Sequence, residues 1–481
     1  MAQKSITIVQ LNDSHAYLEP HAELFWQGSG PVFREAGGYA RIAGLLAQIR
    51  GEKPGSVLFC DCGDTLHGTY PAVQTRGQAV IPSLNALAPA AMTAHWEFAY
   101  TPPVLEEESQ QLNFPMLALN VYYQGRRERP FPGSTIVESG GLRVGLIGLA
   151  SNIVDKTMPP AFSQGLYFSL GREELPGEIE RLRVEEHADL IVLISHLGFP
   201  QDMQLMAHVP GVDVCLSAHT HHRLAQPVLQ GKTLIIQSGS QGSFLGRLDL
   251  EVEDGSLSGF QHQLIEVTPD LPADPHVAEL VRQAVDPFRA ELEPVVGQTA
   301  VDLYRGEALQ SSMDHFILAA LLETTGASLA FSNGWRYGAP VPAGDVRMRD
   351  LYNMVPMNPP ISTVELTGLE LREMIEENLE HTFARDPFRQ MGGYVKRALG
   401  IKVYFKIENP FGQRVQQIFV GDEEVRPGET YSTAFITAQG VPEKYGQNRQ
   451  DTSERIVPAM RAYLERHSPF TRGETGAFTP I

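Results

Sequence analysis

Cysteine is nearly missing from this chain: Cys60, Cys62 and Cys215 are the only three in 481 residues. Three thiols cannot build a disulfide framework, and a chain this long does not need one to hold a core. Cys60 and Cys62 close an apolar run and read as buried, reduced thiols at a strand end. Long apolar runs are missing too. No stretch approaches the ~18 residues of a bilayer-crossing helix, so no such helix is expected. The start shows no secretory core, because Met1-Ala2-Gln3-Lys4-Ser5 runs straight into Ile6-Thr7-Ile8-Val9-Gln10-Leu11, an alternating strand pattern. The chain as written is therefore expected in the cytoplasm; one trimmed of a leader would look the same and would be periplasmic or secreted. Basic charge is also short, with 38 Lys and Arg against 57 Asp and Glu and a formal charge of −19. Nucleic acid and anionic membranes are poor partners for such a surface. A small anionic substrate stays open, since a metal or a few arginines reverse the field inside one cleft.

What is present is an ordinary globular composition, 42% hydrophobic and 20% charged, long enough for two or three domains. The first part alternates β and α. Ser56 to Cys60, Leu142 to Gly148 and Asp189 to Ile194 read as buried strands, with helical patterns at Ala40 to Gly51 and Arg172 to His187. Strands with period-2 alternation follow at Thr233 to Gln237 and Phe244 to Val252. This predicts a layered α/β domain over residues 1–267. The Pro/Asp-rich break at 268–275 and a helix from His276 to Glu293 form a connector over 268–296. A second domain, 297–481, carries helices at Ser311 to Thr325 and Thr367 to Phe383, and strands at Ile361 to Leu366, Ile401 to Ile407 and Thr430 to Ile436.

Histidines and carboxylates recur just past strand ends. Asn12-Asp13-Ser14-His15, Asp61-Cys62-Gly63-Asp64, Ala94-His95-Trp96-Glu97, Ser195-His196-Leu197-Gly198 and Ser217-Ala218-His219-Thr220-His221-His222 are five such clusters. Ligands of open α/β sheets bind outside the carboxyl ends of the strands, so the five are expected to converge. Any one alone is also what a capped turn looks like; five at like positions point to a metal site. Mixed carboxylate and imidazole donors suit Mn, Zn or Fe, where an all-carboxylate set would suit Mg or Ca.

These blocks resemble the signatures of the calcineurin-like metallophosphoesterases, and the chain as a whole resembles the two-domain 5′-nucleotidase family. Gly37-Gly38-Tyr39-Ala40-Arg41-Ile42, Leu119-Asn120-Val121 and Gln237 to Gly242 add to the likeness, as do Ser332-Asn333-Gly334-Trp335-Arg336 and Thr363 to Gly368 in the second domain. The resemblance implies a four-layer α/β/β/α first domain and an α+β substrate-binding second domain. It implies a two-metal site in which Asp13, His15 and His221 hold one ion, His196 and His219 hold the other, and Asp64 bridges. The metals would be Mn first, with Zn, Fe or Co as alternatives. They would polarise the scissile group and supply a hydroxide near neutral pH.

The departures from the family pattern carry information of their own. Where the family has Gly-Asn-His-Glu-Phe-Asp, this chain has Ala94-His95-Trp96-Glu97-Phe98-Ala99. His95 takes the place of a metal-ligating Asn and is expected to act as ligand and catalytic residue beside Asp64. Trp96 and Ala99 stand where the family keeps a His–Asp dyad for the transferred phosphoryl group. That paired loss, with Asp386 to Arg397 and Gly412 to Val415, resembles the SoxB thiosulfohydrolase branch, which acts on a cysteine S-sulfonate of a carrier protein. Ile436 and Val441-Pro442 replace the base-stacking aromatic and the Gly-Asp of nucleotidases. Arg336 is the candidate grip on an anionic substrate, with Asn333 beside it and Tyr394 as a stacking platform. Tyr445 is the other ring a base could stack on. His67 either lines the cleft, supports a ligand from behind or faces solvent. His21 and His222 are not expected to ligate; Lys396 and Arg397 either add positive charge to the Arg336 grip or, as an exposed charge pair usually is, are solvated surface.

The expected function is hydrolysis of phosphate esters, nucleotides first. SoxB-like cleavage of a cysteine S-sulfonate, with its carrier protein as partner, is the alternative. A non-catalytic protein on a degenerate enzyme fold is the third reading.

Overall fold

The computed structural model describes residues 4–28, 30–253, 255–306, 308–392, 394–471 and 476–481. Two compact units emerge. One comprises Met1–Glu23 and Arg34–Pro287, the other Leu24–Phe33 and Phe288–Ile481. The division falls at Pro287, inside the connector expected over 268–296. The expected helix there is broken: Pro275–Val285 is α-helical, Asp286–Phe288 is a 3₁₀ turn and Arg289–Leu292 is a second short helix. Pro287 has no N–H to donate and clashes with the preceding turn, which accounts for the break. A hairpin of His21–Gln27 and Gly30–Ala36 leaves the first unit, and its distal residues belong to the second.

The first unit is a sandwich of two sheets. One orders Ser256–Glu266, Phe244–Glu253, Lys4–Leu11, Val57–Asp61 and Ala91–Met92, the last three parallel. The other orders Val228–Gln230, Thr233–Ile236, Val214–Ser217, Leu190–Ser195, Leu142–Leu149 and Ser134–Ser139, the middle four parallel. Ile6, Ile8, Leu58 and Cys60 of the first sheet share one core with Val144, Leu146, Val192, Ile194 and Leu216 of the second. Successive residues of a strand face opposite sides, and Val9, Leu11 and Phe59 on the other face are buried as well. The alternation in the first strand therefore does not mark a wet face: Thr7 and Gln10 are buried, and Gln10 Nε2 donates to the Ser217 carbonyl of the opposite sheet at 2.7 Å. Helices Tyr39–Glu52, Leu175–Val184 and Phe199–His208 complete the layers, each with an apolar buried stripe. This is the expected four-layer α/β/β/α arrangement. All three cysteines are buried free thiols.

The second unit is α+β. A five-stranded sheet orders Arg397–Leu399, Leu329–Ser332, Thr430–Ile436, Pro360–Thr367 and Gln447–Arg455. Helix Gly368–Phe383 packs its Leu371, Ile375 and Leu379 into a core with Phe331, Val364 and Phe405. Its start is a capping box: Thr367 Oγ1 accepts from Glu370 N, and the Glu370 carboxylate accepts from Thr367 N. Lys396 and Arg397 depart from expectation. Both side chains are buried, Lys396 donating to the Gln439 carbonyl and Arg397 to the Ala308 carbonyl while pairing with Asp314. A Lys-Arg pair at a strand start looked solvated only because its acceptors come from distant residues.

Gly148, in the strand Leu142–Leu149, has no room for a methyl group, since an added Cβ would fall on the Leu117 carbonyl. Gly177, exposed in its helix, has open space around that position. Gly148→Ala is expected to destabilise the chain by about 1–3 kcal/mol. Gly177→Ala should stabilise it by about 0.5–1 kcal/mol. Urea unfolding of the two variants beside the parent chain checks both signs.

Candidate metal centre

The loops that leave the carboxyl ends of the parallel strands meet at one place in the first unit. Asp13 follows Lys4–Leu11, Asp64 follows Val57–Asp61, and His95 follows Ala91–Met92. From the other sheet, His196 follows Leu190–Ser195, and His219 and His221 follow Val214–Ser217. Two sheets with their parallel strands ending at the same rim bring Asp13 and His221 together from opposite ends of the unit's sequence.

Two donor groups result. One is Asp13, His15, Asp64 and His221; the other is Asp64, His95, His196 and His219. Asp64 belongs to both. His221 Nε2 lies 3.3 Å from Asp13 Oδ1, and His15 Nε2 lies 3.8 Å from Asp64 Oδ2. On the other side, His95 Nδ1 and His196 Nε2 each stand 3.2 Å from an Asp64 oxygen. Donor atoms bound ~2.1 Å from one cation lie roughly 3 Å from each other, so these spacings fit. The chemistry of the set also fits. His196 Nδ1 donates to the Cys62 carbonyl at 2.6 Å, which fixes the tautomer and turns Nε2 inward. That Nε2 is buried without a hydrogen-bond partner. The residues present therefore fit divalent cations, with Asp64 common to both donor groups.

The electrostatics without cations are extreme. Burial alone would raise the Asp64 carboxyl, but the imidazoles of His95 and His196 outweigh it and hold it well below the usual range. His196 moves the other way: burial opposes its charge, yet Asp64 and Asp13 lift it to about 10. Burial brings His15 down to about 4 against the pull of Asp64. A neutral imidazole is the form that ligates a metal.

Local sequence explains the loop shapes. Asp61 Oδ1 accepts from Gly63 N at 2.9 Å and Thr65 Oγ1 at 2.6 Å, closing the turn that presents Asp64. Gly63 has φ +85°, and a Cβ there would meet the Thr93 carbonyl oxygen at 2.8 Å. Asp13, His15, Asp64, His219 and His221 all have φ between 48° and 70°. Left-handed backbone costs a non-glycine residue about 1–2 kcal/mol, and here it gathers on the candidate ligands. The loops then brace one another: Asp13 N donates to the Gly63 carbonyl at 3.0 Å and His15 N to the Asp64 carbonyl at 2.7 Å.

Three supporting side chains had no role in the sequence reading. The Glu97 carboxylate accepts from the backbone N–H groups of His95 (2.7 Å), Thr65 (2.6 Å), Leu66 (3.2 Å) and Asp64 (3.3 Å). It pins two ligand loops at once. Asn12 Nδ2 donates to Asp13 Oδ2 and to the Gly239 carbonyl, both at 2.7 Å. Asp202 accepts from Ser195 Oγ and Ser217 Oγ at 2.6 and 2.5 Å, tying together the strands that lead to His196 and His219. Glu97 and Asn12 stand inside the quoted blocks, so their position was the available signal; Asp202, on a helix, gave none.

The remaining expectations resolve residue by residue. His67 is fully buried and stacks on Trp96 with ring centres 5.0 Å apart, so it does not face solvent. Trp96 N donates to Asp64 Oδ1 at 2.7 Å, while its indole sits beside His67. Ala99 is buried in the same 3₁₀ turn. His21 and His222 are outside both donor groups. In the second unit, Arg336 Cζ stands 4.3 Å over the Tyr394 ring and Nη2 donates to the Gly392 carbonyl at 2.8 Å. Asn333 is half-buried in the turn that leads to Arg336. Tyr445 is committed elsewhere, its hydroxyl donating to Glu377 at 3.1 Å. Gly393, within the Asp386 to Arg397 block, lies outside the described residues.

Residues 295–437 match the family described as 5′-nucleotidase, C-terminal domain. The chain is 24% identical over 494 residues to the trifunctional nucleotide phosphoesterase protein YfkN of Bacillus subtilis, an alignment that covers 90% of this chain. It spans only 32% of that relative's length. Among solved structures, the sulfate thiohydrolase SoxB of Thermus thermophilus superposes with a TM-score of 0.92 at 23% identity, covering 99% of this chain and 96% of that one. A 5′-nucleotidase precursor, also from Thermus thermophilus, gives 0.87 at 24% identity, covering 99% of both.

Glu97→Gln puts an amide where four N–H groups converge on a carboxylate. The expected result is a loss of divalent-metal affinity of about 10–100-fold with the fold retained, measured by competition against a fluorescent chelator. His21→Gln serves as the control and should leave affinity unchanged. Residues 295–437 thus carry a 5′-nucleotidase C-terminal domain, and the chain along its length is similar in sequence and fold to two-domain 5′-nucleotidases.

Proposed function

We propose that the protein is a dinuclear-metal hydrolase of phosphate esters, with nucleotides as the first substrate class to test. The observation that supports this most is Asp64, buried and common to two Asp/His donor groups. Two divalent cations, Mn foremost, would be held by Asp13, His15 and His221 on one side and by His95, His196 and His219 on the other, with Asp64 between. When bound they supply Lewis-acid activation of the ester and of the attacking water. The chain's own residues do the rest. Glu97 and Asn12 keep the ligand loops rigid, so little reorganisation accompanies the reaction. Arg336, steadied by Tyr394 and Gly392, offers a guanidinium fork that matches the oxygens of a phosphate or sulfonate; Asn333 adds a polar contact beside it.

A second reading, cleavage of a cysteine S-sulfonate on a carrier protein, is favoured by Trp96 and Ala99. Trp96 offers only an uncharged indole N–H and Ala99 has no side chain to orient a donor, whereas a positioned donor at a developing anion is worth about 10²–10³ in rate where one has been removed elsewhere. Phosphoester turnover is accordingly expected to be slow.

The decisive experiment pairs elemental analysis with assays on a nucleotide and phosphomonoester panel and on a cysteine S-sulfonate peptide, all with Mn added. The proposal expects near two metals per chain and nucleotide turnover that disappears in Asp64→Ala. Two metals with turnover of the S-sulfonate alone would replace it with the second reading. No metal uptake and no turnover would leave a binding protein on this fold. A Trp96→His/Ala99→Asp double variant, which rebuilds the missing dyad, should raise phosphoester kcat by roughly 10²–10³.

A further inference from the structure

A basic, aromatic groove on the first unit stands apart from the metal centre and from the acidic character of the chain. Its floor is the two-stranded ladder of Val121–Tyr123 and Leu166–Phe168, with Tyr122 paired opposite Tyr167. The groove has a volume of about 1000 Å³ and is lined by Arg126, Arg127 and Arg129 against a single carboxylate, Asp155. Glu106, Glu174 and Glu128 stand at its margin, the first two accepting from Tyr123 and Tyr122 and the third 3.9 Å from Arg126, so the cationic character is that of the individual exposed guanidiniums rather than of a net excess.

The arginines divide into two kinds. Arg129 is fixed: its Nε donates to the Leu119 carbonyl at 2.7 Å, and its guanidinium lies 4.6 Å over the Tyr122 ring. Arg126 reaches Glu128 only at 3.9 Å, with both side chains exposed, a pairing of little energetic weight. Arg127 is exposed and makes no hydrogen bond or ion pair among the described residues. Tyr167 is 53% exposed and likewise offers its ring and hydroxyl unused. Tyrosine and arginine are the residues that protein interfaces concentrate, because they bury large area with few rotors and satisfy carboxylates in pairs.

The position matters as much as the composition. Phe162, just before the groove residues Ser163 to Tyr167, packs edge-on against Trp96, with ring centres 6.4 Å apart. Ser151 N, at the start of the same connection, donates to the Ala94 carbonyl at 3.1 Å, next to His95. The segment that walls the groove is thus the segment that packs on the rim of the candidate metal centre.

We propose that this groove docks an acidic, extended segment of a partner protein, held by Arg126 and Arg127 and by stacking on Tyr167. Arginine clusters recognise acidic motifs in this way, through paired N–H donors on each carboxylate. Arg126 and Arg127 are two separate exposed guanidiniums, which suits successive carboxylates of a chain better than one phosphate. The docking does not depend on which ester the metal centre cleaves.

The test uses the full chain and a fluorescein-labelled decapeptide of alternating Glu and Asp, followed by anisotropy at 50 and 300 mM NaCl. A neutral Gly/Ser decapeptide and a labelled ten-nucleotide DNA run in parallel. The expected result is binding of the acidic peptide at least tenfold tighter than the neutral one, weakened by salt. An Arg126→Gln/Arg127→Gln variant should lose at least tenfold, and Tyr167→Ala about threefold, with thermal midpoints unchanged because all three side chains are exposed. Asp64→Ala should bind the peptide as the parent does, so a failed hydrolase assay and a failed docking assay remain distinct. Equal affinity for acidic and neutral peptides, or no loss in the double variant, overturns the proposal. DNA binding tighter than the acidic peptide and equally dependent on the two arginines overturns it in favour of a nucleic-acid site.

Discussion

Two carboxylates, Asp13 and Asp64, are buried in the first unit with five imidazoles around them. Isolated buried carboxylates are costly unless cations face them. Everything near the rim answers that demand. The strands end there because parallel topology points their carboxyl ends the same way, and the loops pass through left-handed conformations at Asp13, His15, Asp64, His219 and His221. The supporting shell of Glu97, Asn12 and Asp202 then takes up backbone N–H and hydroxyl groups that would otherwise be stranded. A centre of this kind is the organising load on the domain, and the hydrophobic core between the sheets is what carries it.

Much of this was written in local patterns. The five clusters sit immediately after apolar runs, and the run-then-cluster order is what a parallel sheet with a functional rim produces. The helices read from Ser311 and Thr367 do begin there, each residue serving as the N-cap. What escaped was long-range. The first strand alternates as if half exposed, yet both its faces are covered because a sheet lies on one side and a helical layer on the other. Lys396 and Arg397 looked like surface because their acceptors, Gln439, Ala308 and Asp314, are distant in sequence. Asp202 holds two strands together through two hydroxyls, and nothing in its own neighbourhood announces that.

The exchange of a dyad for Trp96 and Ala99 also takes on a physical shape. Trp96 keeps the backbone function of its position, since its N–H still binds Asp64, while its ring stacks on His67 in a buried, apolar setting. The indole is turned onto His67 while the Asp64 carboxylate is held by the backbone of the same residue. One short turn therefore places an apolar stack and the support of Asp64 side by side.

The hairpin between His21 and Ala36 has a consequence for the chain as a polymer. Because Leu24–Phe33 belongs to the second compact unit while both flanks belong to the first, the backbone passes between the units three times. A cut at Pro287 does not separate two complete units; it leaves the second without its earliest segment. The second unit also cannot be completed until synthesis has passed through nearly the whole of the first, from Arg34 to Pro287. In order of sequence the chain alternates between the units instead of filling one and then the other, so the second draws on a segment made early and another made last.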